Sequence, residues 1–245
     1  ATEKRQLPTK RVAQTKNEKF RVASVSPDQN GYLIDYSIVN DSADFTFQGD
    51  TTYLVSGDVY LSGTTTLEGG SVIKSSESGS IYSEDGLFDC KTDSYRPAVF
   101  TSANDDSVGE IISGSTGIPD YWVGVAIVSG NPILSNVRFS YGAWPLSLWD
   151  SGSSAELTDV QYVNCAIPIN IGGGSATLRN VLMTGSLVPL RGDFSYTVSA
   201  ENVTIVGADP FGMTGPGYPT VSFTNSIVVA VTNFGTATII NNNSL

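Results

Sequence analysis

Histidine is absent from this chain of 245 residues, and cysteine and methionine occur only twice each. Without imidazole, every mechanism that uses histidine as an acid, a base or a metal ligand is excluded. Two cysteines without histidine do not make a zinc site either. Charged residues make up only 15% of the chain, against roughly 25% in an average soluble protein, which argues against a coiled coil or a charged disordered chain.

Long hydrophobic runs are also missing, because the longest, residues 227–231, has the length of one strand, and no membrane insertion is expected. The net charge of −11 is divided unevenly. Residues 1–21 contain seven basic and two acidic side chains, a net of +5, and the rest contains six basic and 22 acidic side chains, a net of −16. A body this acidic repels polyanions, so no nucleic-acid partner is expected. The basic segment either pairs with an acidic surface, including that of a neighbouring copy, or is a solvated terminus.

What the chain does contain is an internal repeat. Five segments of the C-terminal half share hydrophobic alternation around one polar residue: ILSNVRF, ELTDVQY, TLRNVLM, SAENVTI and SFTNSIV. The shared residues are Asn136, Asp159, Asn180, Asn202 and Asn225, at spacings of 23, 21, 22 and 23. A period near 22 with strand-like alternation predicts turns of about three short strands each, stacked about 4.8 Å apart.

The shared polar position predicts a structural ladder at one corner of the stacked turns. Like residues of successive turns lie one above another, so each side-chain amide is placed to bond the amides above and below it. We therefore expect an inward-facing amide ladder formed by the five residues. Asp159 departs from the pattern, because an ionised carboxylate cannot donate, and it is expected to meet solvent or a backbone N–H.

Over residues 131–230 this pattern resembles the right-handed parallel β-helix of the pectin-lyase-like superfamily. The resemblance implies an all-β fold: a single right-handed parallel β-helix with three short strands in each coil of about 22 residues. Right-handedness comes from the resemblance and from the general rule for parallel crossovers. Enzymes of the family use carboxylate-bound calcium with an Arg or Lys base, or several Asp residues with a Gly-His-Gly motif, and the latter cannot exist without histidine.

The remaining segments are placed around these regular turns. Residues 51–74 break into short β-rich pieces at glycines and predict an earlier turn or two. Residues 91–120 are poor in alternation and predict one long loop excursion, where such folds hold functional residues. The predicted division is a basic polar N-terminal arm, residues 1–30, and a β-helix domain, residues 31–245, with regular coils over 122–245.

Few groups suited to catalysis are present. Asp105 and Asp106 form an acidic pair in the excursion without the partners that hydrolysis needs. Arg138 and Arg179 are predicted to lie on opposite faces of their strands, so they do not form one continuous basic surface that could bind an anionic polysaccharide. No catalytic residue, metal site or cofactor is predicted.

Aromatic residues near the end of the excursion favour a sugar ligand. Aromatic faces stack on sugars, so a neutral glycan is the small-molecule partner that they favour. The alternative is that these rings pack the loop onto the turns. The candidate glycan-binding residues are Trp122, Trp144, Trp149, Tyr121, Asp105, Asp106 and Glu110.

Cys90 and Cys165 either form a disulfide or are small buried residues. An acidic chain rich in Ser, Thr and Asn fits an extracellular or cell-surface protein. We predict a non-catalytic structural or adhesive β-helix protein that associates with other copies of itself, or with a surface partner, through its ends or terminal segments. The alternative is a module that binds or cleaves a neutral glycan, in the latter case a polysaccharide hydrolase or lyase.

Overall fold

The computed structural model describes residues 36–206, 212–213, 218–229 and 238–245. Within these ranges every regular element is a strand, and no helix long and apolar enough to cross a membrane occurs. The strands are β1 Tyr36–Ile38, β2 Ser42–Ala43, β3 Thr46–Phe47, β4 Thr52–Val55, β5 Asp58–Ser62, β6 Thr64–Glu68, β7 Val72–Ser75, β8 Ser80–Ser83, β9 Leu87–Lys91, β10 Ala98–Ser102, β11 Gly124–Ile127, β12 Ile133–Ser135, β13 Val137–Ser140, β14 Leu146–Leu148, β15 Ser154–Thr158, β16 Gln161–Val163, β17 Ile169–Ile171, β18 Gly174–Arg179, β19 Leu182–Thr184, β20 Leu190–Gly192, β21 Tyr196–Glu201, β22 Thr204–Val206, β23 Gly212–Met213, β24 Thr220–Thr224, β25 Ile227–Val229 and β26 Thr238–Asn242.

Parallel pairing between successive turns joins these strands into stacked sheets. The first sheet is β1-β4-β7-β10-β13-β16-β19-β22-β25, and the second sheet is β2-β5-β8-β11-β14-β17-β20-β23. The third face consists of β3-β6-β9 and β12-β15-β18-β21-β24-β26, with β9 and β12 adjacent. The predicted all-β parallel solenoid is confirmed, with about eight turns of about 22 residues each. The predicted N-terminal arm, residues 1–30, lies outside the described residues.

The core consists of the hydrophobic positions of the repeat. The residues two before and one after each ladder position point inward and are buried, whereas the residue immediately before it faces outward. Aromatic rings also stack from turn to turn inside the first sheet. Phe139 lies 5.0 Å from Phe100 and 5.2 Å from Tyr162 between ring centroids.

The ladder residues lie one above another at the corner between the third face and the first sheet. All five have left-handed backbone, with φ between 48° and 57°, and each backbone N–H donates to a carbonyl of the following turn. Four of the side chains are exposed and that of Asn136 is half-buried, so the expected inward amide ladder is wrong. Asn and Asp recur here because they tolerate left-handed backbone better than other residues with a Cβ.

Asp159 occupies this exposed row as a hydrogen-bond acceptor. Asn180 Nδ2 donates to Asp159 Oδ1 over 3.1 Å. A second left-handed row, formed by Tyr141, Asn164 and Gly185 at the corner after the first sheet, was missed by the sequence analysis. Its residue types are too mixed to reveal a common backbone conformation.

The predicted excursion contains a strand, so residues 91–120 are not one loop. β10 pairs with β7 and β13 in the first sheet, and the long connection spans residues 103–123. β11 then pairs with β8 in the second sheet. The long insertion therefore interrupts the period of the sequence but not the stacking of the turns.

Replacing Asn180 tests the left-handed corner. Asn180→Ala should lower the free energy of unfolding by about 1 kcal/mol, because alanine tolerates this backbone poorly. Asn180→Gly should be nearly neutral, since glycine adopts it readily. Urea unfolding measures both, and equal losses would show that the bond to Asp159, not the backbone, matters at this position.

The two core tyrosines Tyr162 and Tyr53 predict opposite results on removal of their hydroxyl groups. The Tyr162 hydroxyl is buried without a hydrogen-bond partner among the described residues, whereas the Tyr53 hydroxyl accepts the Gln48 N–H over 2.8 Å. Tyr162→Phe should raise the free energy of unfolding by about 1 kcal/mol, and Tyr53→Phe should lower it by a similar amount. Chemical denaturation at neutral pH measures both, and a loss in Tyr162→Phe would contradict the assignment.

Tyr162 also predicts how the stability of the protein changes at alkaline pH. Burial raises the pKa of Tyr162 well above its ordinary value of 10.0. The stability that depends on the neutral phenol is therefore complete below pH 10.0 and is lost as the pH rises from there toward the folded-state pKa. The stability gap between Tyr162→Phe and the wild type should widen above pH 10.0 in unfolding experiments, and a constant gap would contradict this.

Candidate functional site

A column of outward side chains, one from each successive strand, runs up the second sheet. The column consists of Tyr60, Tyr82, Ala126, Ser147, Asn170 and Arg191. The residues on either side of each point into the core, as strand alternation requires. Because neighbouring strands are about 4.8 Å apart, the six side chains form a continuous surface.

Two tryptophans turn the middle of this column into a recess. Trp144 precedes β14 and Trp149 follows it, and their side chains are 44% and 55% exposed. Between them lie the small residues Ala126 and Ser147, which face outward and are nevertheless buried, because larger neighbours surround them. The recess is an open depression of about 180 Å³, here called the aromatic slot, and its principal lining residues are Tyr82, Ala126, Trp144, Ser147, Trp149 and Asn170.

Tyr82 closes the end of the aromatic slot nearer the chain's N-terminus. Its ring stacks on that of Tyr60, with centroids 4.8 Å apart and planes at 13°. Trp149 meets it edge to face, with centroids 5.5 Å apart. Tyr60 covers one face of Tyr82, and the small side chain of Ala126 leaves room above the other.

Polar groups occupy the opposite end of the slot. Asn170 Oδ1 is buried and accepts no hydrogen bond from the described residues, which is uncommon for a buried polar atom. Arg191, one strand further, places its guanidinium carbon 6.0 Å from the centre of the Trp144 ring. Its Nη2 lies 3.9 Å from Asp193 Oδ1. The slot therefore combines aromatic surfaces with a polar end.

Carboxylates lie near the slot, but the side chains that line it are uncharged. Desolvation, and then the Asp58 carboxylate, raises the pKa of the Tyr60 phenol, and Asp41 and Glu84 add to the effect. An anionic ligand would meet this negative potential as it approached. The lining offers no pair of carboxylates for glycoside hydrolysis.

The structure separates the predicted aromatic residues. Trp144 and Trp149 share the slot, whereas Trp122 is fully buried, with Nε1 donating to the Ser140 carbonyl over 2.8 Å. The expected glycan-binding role of Trp122 is therefore wrong, because its ring packs beside Phe100 in the core. Tyr121 is exposed but does not line the slot.

Tyr82, Ser147 and Asn170 were missed by the sequence analysis. The only sequence signal was a tyrosine between two inward residues in both β5 and β8. It becomes informative only when the register of the two strands is known, since that register places Tyr60 beside Tyr82.

The acidic residues of the excursion lie away from the slot and hold the loop together. Asp105 is buried and accepts hydrogen bonds from Thr101 Oγ1 over 2.6 Å and from Ser107. Burial acts to raise the pKa of Asp105, but the bonds from Ser107 and Thr101 outweigh it and hold the pKa below its ordinary value. Neither Asp106 nor Glu110 lines the slot.

Lys74 fastens the excursion to the first sheet. It is fully buried, and its Nζ donates to the carbonyls of Asp105 over 2.8 Å and Glu110 over 2.6 Å. Burial lowers the pKa of Lys74 even though carboxylates of the excursion oppose the shift. Glu110 N–H also donates to Thr52 Oγ1 over 2.9 Å, so the loop is held against the outer surface of two neighbouring strands.

A larger groove of about 470 Å³ follows the ladder beside Asp93 and Tyr95. Many of its polar side chains already bond to one another. Arg138 donates to Gln161 Oε1 over 2.7 Å, in addition to the bond between Asn180 and Asp159. These side chains are therefore engaged with one another rather than with a ligand.

The two cysteines are free, so the disulfide alternative is wrong. Cys90 lies in β9 on the third face, and Cys165 follows β16 in the core. Burial raises the pKa of the Cys165 thiol to about 12, which keeps it in the unreactive thiol form at neutral pH. The described part of the chain holds no cluster of three or more Cys, Asp or Glu placed to bind a metal ion.

Comparisons with known proteins give no relative. No protein-family model matches the chain, and neither the curated proteins nor the solved structures give a significant match. The solenoid itself is shown by the structure, while the pectin-lyase-like superfamily remains a resemblance of pattern.

Removing the Lys74 ammonium tests its role as the anchor of the excursion. Lys74→Ala leaves two backbone carbonyls without their donor, so the free energy of unfolding should fall by about 3 kcal/mol. Limited proteolysis should cut residues 103–123 several-fold faster than in the wild type.

Lys91→Ala is the matched control, because Lys91 is exposed and, among the described residues, pairs with the exposed Asp89. It should leave both readouts unchanged. Unaltered cleavage in Lys74→Ala would mean that the loop is held by other contacts.

Proposed function

We propose that this protein is a non-catalytic adhesive β-solenoid that binds a neutral glycan through the aromatic slot. The observation that supports the proposal most strongly is the composition of that slot. Two indole rings and the Tyr82 ring surround a small uncharged floor, and the polar residue Asn170 lies at one end.

The pairing of aromatic surface with polar side chains matches the chemistry of a sugar ring. The C–H face of a pyranose packs against an aromatic ring, and its hydroxyl groups form hydrogen bonds. Ser147 and Asn170 are polar residues of the slot lining that such hydroxyl groups would face.

Charge favours a neutral ligand over an anionic one. Outside residues 1–21 the chain has 22 acidic and six basic side chains, and the basic Lys74 is buried beneath the excursion. Near the slot, Arg191 lies beside the Asp193 carboxylate. An acidic polysaccharide would therefore meet net repulsion.

Binding without cleavage follows from the same lining. Hydrolysis of a glycosidic bond needs a proton donor and a second carboxylate on opposite sides of the bond. The residues that line the slot supply neither, since their polar side chains are hydroxyls, indoles and an amide. Adhesion to a glycan-bearing surface is the role that remains for such a site.

Self-association and an extracellular or cell-surface location stay predictions. Residues 1–35 and 230–237, which include much of the terminal segments expected to mediate assembly, lie outside the described residues. Membership of the pectin-lyase-like superfamily is likewise a prediction.

Substitution of the slot tryptophans tests the proposal. Trp149→Ala and Trp144→Ala should each weaken binding of a neutral glycan by about tenfold or more, because each removes one stacking surface. A glycan array identifies the neutral glycan, isothermal titration calorimetry measures the affinity, and a reducing-sugar assay should detect no product.

Tyr95→Ala is the control, since the Tyr95 side chain is 97% exposed and lies outside the slot. It should bind as the wild type does. Absence of binding to every neutral glycan, or equal losses in the control and the tryptophan variants, would overturn the proposal.

A further inference from the structure

The aromatic slot is short and blocked at one end. The Tyr60 ring stacks on the Tyr82 ring, with their centroids 4.8 Å apart, so this aromatic pair closes the column at that end. The depression of about 180 Å³ holds one sugar ring and not a stretch of chain. A glycan lying along the sheet would have to pass through the Tyr82 ring.

The opposite end of the slot is polar. Asn170 lines that end, and Arg191 follows on the next strand, about 4.8 Å further along. A glycan whose sugar ring is held between Trp144 and Trp149 would therefore extend toward Asn170 and Arg191, away from the Tyr82 ring.

We infer that the slot binds the terminal unit of a neutral glycan chain, with the rest of the chain leaving past Asn170 and Arg191. This inference rests on the proposed function and adds a specificity to it: chain ends are bound, and internal segments are rejected by the Tyr82 wall. Tyr82 is therefore a specificity-determining residue and Tyr60 its support.

The number of protein molecules bound per glycan chain tests the inference. The probes are neutral gluco-, manno- and xylo-oligosaccharides from monosaccharide to hexasaccharide and long linear polymers of the same linkages, titrated into the wild-type protein by calorimetry. Affinity should rise from the monosaccharide to the di- or trisaccharide and then stay constant, with one protein molecule bound per chain at every length.

The outcomes separate the two proposals. Stoichiometry that grows with chain length would overturn the chain-end inference and leave glycan binding intact. Failure to bind any of the probes would overturn the proposed function itself.

Removing the wall gives a second readout. Tyr82→Ala should bind several protein molecules per long polymer, because internal segments then enter the slot, while Tyr95→Ala should keep one molecule per chain. Circular dichroism verifies that both variants keep the wild-type fold. A Tyr82→Ala protein that binds glycan and still binds one molecule per chain would overturn the inference.

Discussion

Backbone pairing between like positions of successive turns is the constraint on which the rest of the structure depends. It places residues about 22 positions apart side by side, so residues at the same position of successive turns form a column on the surface. The aromatic slot is a product of this pairing. Ala126, Ser147 and Asn170 touch the same depression only because β11, β14 and β17 are in register.

The same pairing separates structural residues from those available to a ligand. In each strand the inward positions hold the stacked hydrophobic core, while the outward positions vary freely. Where the excursion covers the outward face, Lys74 becomes a buried anchor. On the second sheet, where no described segment covers the outward face, Trp144 and Trp149 remain exposed.

The fold was predictable because the five copies of the repeat show the length of a turn and the alternation of its strands.

The candidate site was only half predictable. Trp144 and Trp149 were found by residue type, but Tyr82 was not, because residues 103–123 separate β10 from β11 and hide the period. Trp122 was misassigned because sequence does not distinguish an inward from an outward tryptophan at an irregular corner. The ladder side chains were predicted to point inward, but they point outward. Asn and Asp recur at this position because of the left-handed backbone, which residue type reflects only indirectly.

The three tryptophans offer the most direct test of the proposed ligand surface. Their indole N–H signals can be followed by NMR during titration with a neutral oligosaccharide. The structure predicts that the signals of Trp144 and Trp149 shift together while that of the buried Trp122 stays in place. A glycan that binds while moving only the Trp122 signal, or none of the three, would contradict the central claim that the second sheet forms the binding surface.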